Sequence, residues 1–314
     1  MRDKTRIAIA AGDPAGIGPE VSLKAALDPA VRNACNPIVV GDANVLERHA
    51  AACAIAAELC VIARAADADW SNRRVNVLGC AQPDLAALDF GTSGAASGRA
   101  APQNETSIAL AGIAFDGYPS FVARATGADE SDVYLMLCFD DVKIVHATLH
   151  RSMRQAIEMI TRDNIARVIA ATDRALKRLG TAAPKLAVGG LNPHAGEGGL
   201  FGREEIEVIK PAIDAAVAQG IAVTGPFGAD TMFRMRDVDA FIVMLHDQGH
   251  IAAKLLAQNA VAALTIGSPI LFSSVAHGSA HDIAGKGAAD PKALIGAVLR
   301  LSEAKQRGLQ PALA

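Results

Sequence analysis

Short runs of β-branched or aliphatic residues alternate with amphipathic stretches along most of the chain, and this alternation constrains the fold more than any other feature. Ile7 to Ala11 precedes a helical period near Val21 to Leu27, and Ile38 to Val40 precedes one near Val45 to Ala56. The rhythm resumes with Lys143 to Thr148 before Ser152 to Ile160, Leu186 to Gly189 before Glu204 to Ala218, and Phe241 to Leu245 before a helix carrying Lys254. Strands separated by helices pair in parallel when each crossover returns the chain across a sheet face, so the pattern predicts βαβ units. Aromatic residues make up 4% of a chain that is 51% hydrophobic, which favours helices laid on a parallel sheet over an aromatic-rich sandwich. At 314 residues the expectation is one large α/β unit, or two lobes with a cleft between them. A last helix is expected over Pro291 to Lys305, capped by Asp290.

A formal net charge of -3 and evenly scattered Lys and Arg leave no basic face for a phosphate backbone, which excludes nucleic acid and favours a small-molecule partner. The five cysteines (Cys35, Cys53, Cys60, Cys80, Cys138) are odd in number and never spaced as CxxC, so reduced and mostly buried thiols are expected. The longest apolar runs, such as Val133 to Phe139, fall far short of the ~20 residues of a membrane span, and the N-terminus has no signal-like core. A cytoplasmic protein without membrane contact is expected. The Gly, Ser and Ala stretch FGTSGAASGRAAP between Leu88 and Pro102 reads as a loop or lobe connection, and no internal repeat is visible.

Three segments carry candidate chemistry. The first, GDPAGIGPE from Gly12 to Glu20, lies where a strand ends and a helix begins, so Gly12 and Gly16 let the backbone turn tightly beside a ligand, with Asp13 between them. A plain strand-to-helix turn with Pro19 at the first helical position explains the same residues. The second is a set of histidines in polar contexts: His150 in HATLHRS, His194 in LNPHAGEGG and His246 in LHDQGH. Neutral imidazoles on separate loops can converge on one ion and leave a position open for substrate. Each can equally be a hydrogen-bonded structural histidine. Asp247 beside His246 and Asn192 near His194 are candidates to orient a ligand or touch substrate, or to cap a helix. His146, His250 and His281 are weaker candidates. The third is the small-residue loop His277 to Gly287, in which His277, Gly278, Ser279 and Ala280 let backbone approach a flat ligand. Asp282 there can accept from ribose hydroxyls and would repel a 2′-phosphate, favouring NAD over NADP; a surface loop leading into the last helix is the plainer reading.

Taken together, GDPAGIGPE, LNPHAGEGG with FGREE, GPFGADTMF, LHDQG and HGSAHDIAGKGAADP resemble the 4-hydroxythreonine-4-phosphate dehydrogenase (PdxA) family across nearly the whole chain. The last motif is also similar to the adenosine-binding loop of isopropylmalate and isocitrate dehydrogenases. The resemblance implies a two-lobed α/β fold of that dehydrogenase type, with residues 1–115 and 285–314 in the first lobe and 116–284 in the second. It implies NAD as cofactor and a homodimer in which His150, His194 and His246 hold a divalent metal, one ligand coming from the partner subunit. Three imidazoles suit zinc first, and cobalt, nickel or iron as well. Lys254 matches a substrate-binding lysine; its ammonium can hold a carboxylate or, with a lowered pKa, help take the alcohol proton. Lys254 and Asp247 are thus the catalytic candidates.

The departures bear on substrate. Where the family grips substrate with His-Thr, this chain has Tyr118, Pro119 and Ser120 after Gly117, and where it has Asn and Arg, Ala263 and Phe272 stand. Exchanging Arg for Phe removes a bidentate anion fork and adds an apolar wall. GIAFDGYPS, IVHATLH and LFSS are similar to the terephthalate dihydrodiol dehydrogenase branch. Tyr118, Ser120, Asn192, Lys254 and Phe272 are therefore the expected substrate contacts. The expected reaction is oxidation of a β-hydroxy acid, best a cis-dihydrodiol carboxylate, followed by decarboxylation. The alternatives are 4-hydroxythreonine-4-phosphate or a related sugar-acid phosphate, a metal-dependent hydrolase without nucleotide, and a non-catalytic metal-binding protein. A gap relative to the family is expected near Arg99 to Pro102.

Overall fold

The β-branched runs at the start of the chain form strands because every second residue has an apolar face to cover. In the computed structural model, which describes residues 4–70, 74–79, 89–94, 105–113, 115, 117–257, 261–275 and 277–306, strand β1 (Arg6–Ala10) buries Ile7 and Ile9 and leaves its other residues exposed. Helices α1 (Gly18–Leu27) and α2 (Pro29–Ala34) follow, then β2 (Asn36–Gly41), α3 (Ala43–Ala52), β3 (Glu58–Ile62), β4 (Arg74–Gly79) and α4 (Glu105–Leu110). The four strands pair in the order β1-β2-β4-β3, all parallel. Asp28 and Asp42 start α2 and α3 by accepting the first free backbone N–H groups, Asp42 from Asn44 and Val45. The helix expected over Val45 to Ala56 therefore begins at Ala43, and it ends at Ala52. Leu23, Val39, Leu46, Val75 and Val77 form the core on one side of this sheet.

By its contacts the chain divides into two compact units, Met1–Phe115 with Val275–Gln306, and Asp116–Ser274. The second contains α5 (Tyr118–Thr126), β5 (Tyr134–Phe139), β6 (Val142–His146), α6 (Met153–Glu158), α7 (Arg162–Arg178), β7 (Lys185–Gly189) and a π-turn at Glu205–Ile209 that runs into α8 (Lys210–Ala218). It continues with β8 (Ala222–Phe227), β9 (Ala240–Val243), α9 (His246–Leu256), β10 (Ala262–Ile266) and β11 (Phe272–Val275). The strand order is β11-β10-β5-β6-β9-β7-β8. The half containing β6, β9, β7 and β8 is parallel as expected, whereas β5 runs antiparallel to both β6 and β10, so this sheet is mixed. The cause is local. Only Asp140 and Asp141 separate β5 from β6, Asp140 takes φ 43°, and so short a connection can only reverse the chain. All six residues of β5 are buried, which places the apolar run Val133 to Phe139 at the centre of a core with Ile144, Ala187, Phe241 and Val243.

At the last residue of β11, Val275, the chain re-enters the first unit, where residue 285 was expected, and the loop from His277 onward is fastened to the turn after β1. The last helix, α10 (Lys292–Gln306), starts where Asp290 accepts from Lys292 N at 3.0 Å, as expected, and its Val298 packs on Ile7 and Ile9. Among the described residues no helix is long and apolar enough to cross a membrane. Cys35 and Cys138 are buried, and Cys53 and Cys60 are half-buried. Cys80, the expected gap near Arg99 to Pro102 and most of the Leu88 to Pro102 stretch lie outside the described residues.

Candidate active site

Helix α9 begins directly after β9, and its first turn is held by Gln248. The Gln248 Oε1 accepts from Met244 N and Leu245 N at 2.9 and 3.0 Å, and its Nε2 donates to Gly190 O at 3.1 Å. A fixed start matters because His246, His250 and Lys254 recur every four residues and so share one stripe of the helix. The His246 and His250 rings stack at 3.8 Å with 9° between planes, and His250 Nδ1 lies 3.1 Å from His146 Nε2. Gly249 makes room for this: a Cβ there would strike the His146 ring and Ile144. Burial pushes the His146 imidazole down to about 3 and His250 to about 4, so both are neutral near pH 7. Asp247 Oδ1 accepts from His246 Nδ1 at 2.7 Å, and that bond holds the Asp247 carboxyl below its usual range.

The loop carrying His150 is sewn to the end of β9. Ala147 N donates to Val243 O, Thr148 Oγ1 donates to Met244 O at 2.7 Å, and Asn164 Nδ2 donates to Ala147 O. The His150 ring centroid comes within 5.6 Å of that of His246. It also lies against Gly117, whose φ of 115° and missing Cβ (3.1 Å from Nδ1 if built) admit the ring. From Gly117 starts α5, and its Tyr118 ring sits 5.3 Å from Phe272 at 31°. Burial pushes the Tyr118 hydroxyl up to about 12, which keeps it protonated. Ser120 lines a cavity with Pro119, Thr148, His150 and Arg151. Ala263 is buried in the core of β10 and offers no polar group. Lys254 is exposed, with no hydrogen-bonding partner among the described residues.

His194 stands on a separate loop whose shape is set by a buried carboxylate. Glu205, 3% exposed, accepts from Leu191 N, Asn192 N and Asn192 Nδ2 at 2.8, 2.8 and 2.9 Å, and Asn192 Nδ2 also donates to Glu204 at 2.6 Å. Asn192, an expected substrate contact, thus has both its amide protons committed to this loop. Residues 194–198 all take left-handed backbone angles. The His194 ring is 63% exposed, with Nδ1 3.5 Å from Glu197. Among the described residues no three His, Cys, Asp or Glu side chains converge closely enough to hold an ion. His250 stacks on His246 but turns its Nδ1 to His146 Nε2 and His246 O, so proximity alone does not make a ligand set. The pair His150 and His246 still suits a divalent metal: both are imidazoles on anchored backbone, and the Asp247 carboxylate on Nδ1 leaves His246 Nε2 for an ion.

In the first unit, Gly12 turns the chain at φ 77° and Asp13 points inward at 2% exposure. Its carboxylate accepts from Ala15 N at 3.0 Å, Ser279 Oγ at 2.7 Å and His281 Nε2 at 3.0 Å. Gly16 is required because a Cβ would lie 2.7 Å from Ser279 O, the carbonyl that Ile17 N also binds at 2.9 Å. Pro19 sits in the first turn of α1 as read from sequence. Glu20, fully buried, accepts from Ala289 N and from Lys24, which also donates to Gly287 O and Ala289 O. His277 and Gly278 are exposed ahead of these anchors and Asp282 between them, and Asp282 has no partner among the described residues. Sequence reasoning missed Gln248, Glu205, Glu20 and the part played by His281 and His250. The four-residue spacing of His246 and His250, and Gln248 at the third helical position, were the available signals.

A family model for the pyridoxal phosphate biosynthetic protein PdxA matches residues 33–300. The 1,2-dihydroxy-3,5-cyclohexadiene-1,4-dicarboxylate dehydrogenase of Comamonas sp is 41% identical over 298 residues, covering 92% of this chain and 95% of the relative. A crystal structure of 4-hydroxythreonine-4-phosphate dehydrogenase from Klebsiella pneumoniae is similar at a TM-score of 0.85 and 35% identity, covering 97% of this chain and 99% of that one. A terephthalate 1,2-cis-dihydrodiol dehydrogenase structure from Burkholderia xenovorans LB400 is similar at a TM-score of 0.68 and 38% identity over the same shares.

Proposed function

The chain belongs to the PdxA family and is a dehydrogenase acting on a CH–OH group, and from that premise we propose that it oxidises a cis-dihydrodiol carboxylate with NAD and then decarboxylates it. The observation that carries this reading is the aromatic pair Tyr118 and Phe272, 5.3 Å apart, at positions where the resemblance places polar substrate-gripping groups. A phosphate dianion needs charged donors, whereas two tilted rings suit a flat cyclohexadiene. The Comamonas relative, whose name is that of such a diol dicarboxylate, agrees with it.

In this reading His150, His194 and His246 hold a divalent metal, zinc most readily, with one imidazole supplied by the partner subunit of a homodimer. Bound there, the ion supplies Lewis acidity that lowers the pKa of a substrate hydroxyl and steadies enolate charge. Asp247 orients His246, Lys254 holds a substrate carboxylate or takes the hydroxyl proton, and Ser120 lies within the cavity beside His150. The nucleotide supplies the hydride acceptor; Asp282, exposed and without a partner among the described residues, selects NAD by repelling a 2′-phosphate. Oxidising the ring carbinol leaves a ketone β to a carboxylate, which loses CO₂ and yields an aromatic catechol. We keep the two-lobed isocitrate dehydrogenase-like architecture as part of this reading, since the chain divides into two units.

A second reading, a 4-hydroxythreonine-4-phosphate or sugar-acid phosphate dehydrogenase, is favoured by the TM-score of 0.85 against 0.68 for the diol enzyme. A hydrolase or an inert metal-binding protein is set aside by the family. The test is product analysis with NAD, added metal and the diol dicarboxylate: the proposal expects one CO₂ and one catechol per NADH, and NADH formed without CO₂ would exclude the decarboxylating step.

A further inference from the structure

Ala280 takes φ 42° and ψ 57°, a left-handed conformation that an L-residue with a Cβ rarely adopts. Something outside the residue must hold it there. The residues on either side, Ser279 and His281, both donate to the same Oδ2 of Asp13, at 2.7 and 3.0 Å, and Ser279 O is held by Ile17 N against the bare face of Gly16. One buried carboxylate therefore clamps both flanks of the strained residue. Its other oxygen is engaged by Ala15 N within its own turn. Beyond the clamp, Glu20 and Lys24 hold Gly287 and Ala289, so the exposed Asp282 is carried on a segment fixed at both ends.

We propose that Asp13 is a positioning residue for the nucleotide: it touches no part of it, and holds Ser279, Ala280 and His281 in the conformation that presents Asp282 to the ribose. The inference rests on the nucleotide reading of this loop given above. It reassigns Asp13 from cofactor contact to loop clamp, and it explains why an acid sits inside a glycine turn: Ser279, His281 and Ala15 N all need an acceptor, and a carboxylate offers one on both of its oxygens.

The experiment measures NAD affinity by calorimetry on the full-length enzyme, with steady-state kinetics beside it. Asp13→Asn replaces one of two acceptor oxygens by an NH₂ among three donors, Ala15 N, Ser279 Oγ and His281 Nε2, and is expected to weaken NAD binding about tenfold and raise KM for NAD alike, with kcat at saturating NAD within about twofold. Ser279→Ala removes one flank without stranding a buried charge, and is expected to weaken NAD binding about threefold even if the Asp13 variant folds poorly. In the double variant the losses should not add, because both act through one clamp. Ala280→Gly in the Asp13→Asn background should regain part of the affinity, since glycine adopts the left-handed region freely. Unchanged NAD affinity in either single variant, additive losses, or a fall in kcat with KM unmoved would overturn the clamp. Failure of the unmodified enzyme to bind NAD would overturn the nucleotide reading itself, and is seen before any variant is made.

Discussion

Asp247 Oδ1 lies 2.7 Å from Nδ1 of His246 at the first turn of α9, so the carboxylate selects the tautomer that leaves Nε2 unprotonated. A carboxylate on the far nitrogen raises an imidazole's basicity as a ligand and fixes its direction. Replacing it by Asn keeps the shape and removes the charge. Asp247→Asn is expected to weaken metal binding by about 10–100-fold, read by titrating zinc against a competing chelator. Unaltered affinity would mean His246 is not oriented by Asp247.

His194 stands on a loop apart from His150 and His246, and no three ligand side chains converge within one chain among the described residues. His194→Ala and His246→Ala should each abolish turnover. Mixing the two inactive proteins under conditions of subunit exchange should restore about a quarter of the activity, because half of the dimers are mixed and each regains one of two sites. No recovery on mixing would rule out a site shared between subunits.

Phe272 closes the pair with Tyr118. Phe272→Arg would restore a guanidinium fork and break the aromatic wall. Turnover of a dihydrodiol carboxylate should fall by about tenfold or more in kcat/KM while inhibition by phosphate esters strengthens. If phosphate esters bind no better, the anion contacts of the relatives lie elsewhere in this chain.

Glu205 is buried and accepts three N–H groups from Leu191 and Asn192. Glu205→Ala strands those donors and should destabilise the protein by about 2–4 kcal/mol. Hydrogen exchange at the Leu191 and Asn192 amides should quicken more than at β9. Equal protection in the variant would show that the left-handed loop holds itself.

Burial pushes the Cys35 thiol from 9.0 up to about 11. A folded-state pKa above the unfolded one gives stability that is complete below pH 9.0 and lost as the pH rises through 11. Iodoacetamide should label Cys35 far more slowly than the half-buried Cys60 near pH 8, with Cys35 catching up on unfolding. Equal rates in the folded protein would contradict its burial.

The βαβ rhythm made most strands and helices of both units readable, because a parallel strand and its crossover helix each write a period into the sequence. The antiparallel β5 escaped. Its six buried residues alternate with nothing, and its direction is set by the short Asp140–Asp141 connection rather than by its own composition. The histidines were legible as residue types in polar contexts, but which of them touch was not. His146 lies on a strand and His250 on a helix, and only the packing of α9 on β6, through Gly249, brings them together. Asp13 was legible as an acid in a glycine turn, yet its partners Ser279 and His281 lie more than 260 positions away, which no local pattern encodes.

The central claim is tested most directly by following NADH formation with added divalent metal on 1,2-dihydroxy-3,5-cyclohexadiene-1,4-dicarboxylate and on 4-hydroxythreonine-4-phosphate side by side. The account predicts turnover of the diol and none, or far less, of the phosphate. Turnover of the phosphate alone would contradict it and would mean that other residues replace the lost anion contacts.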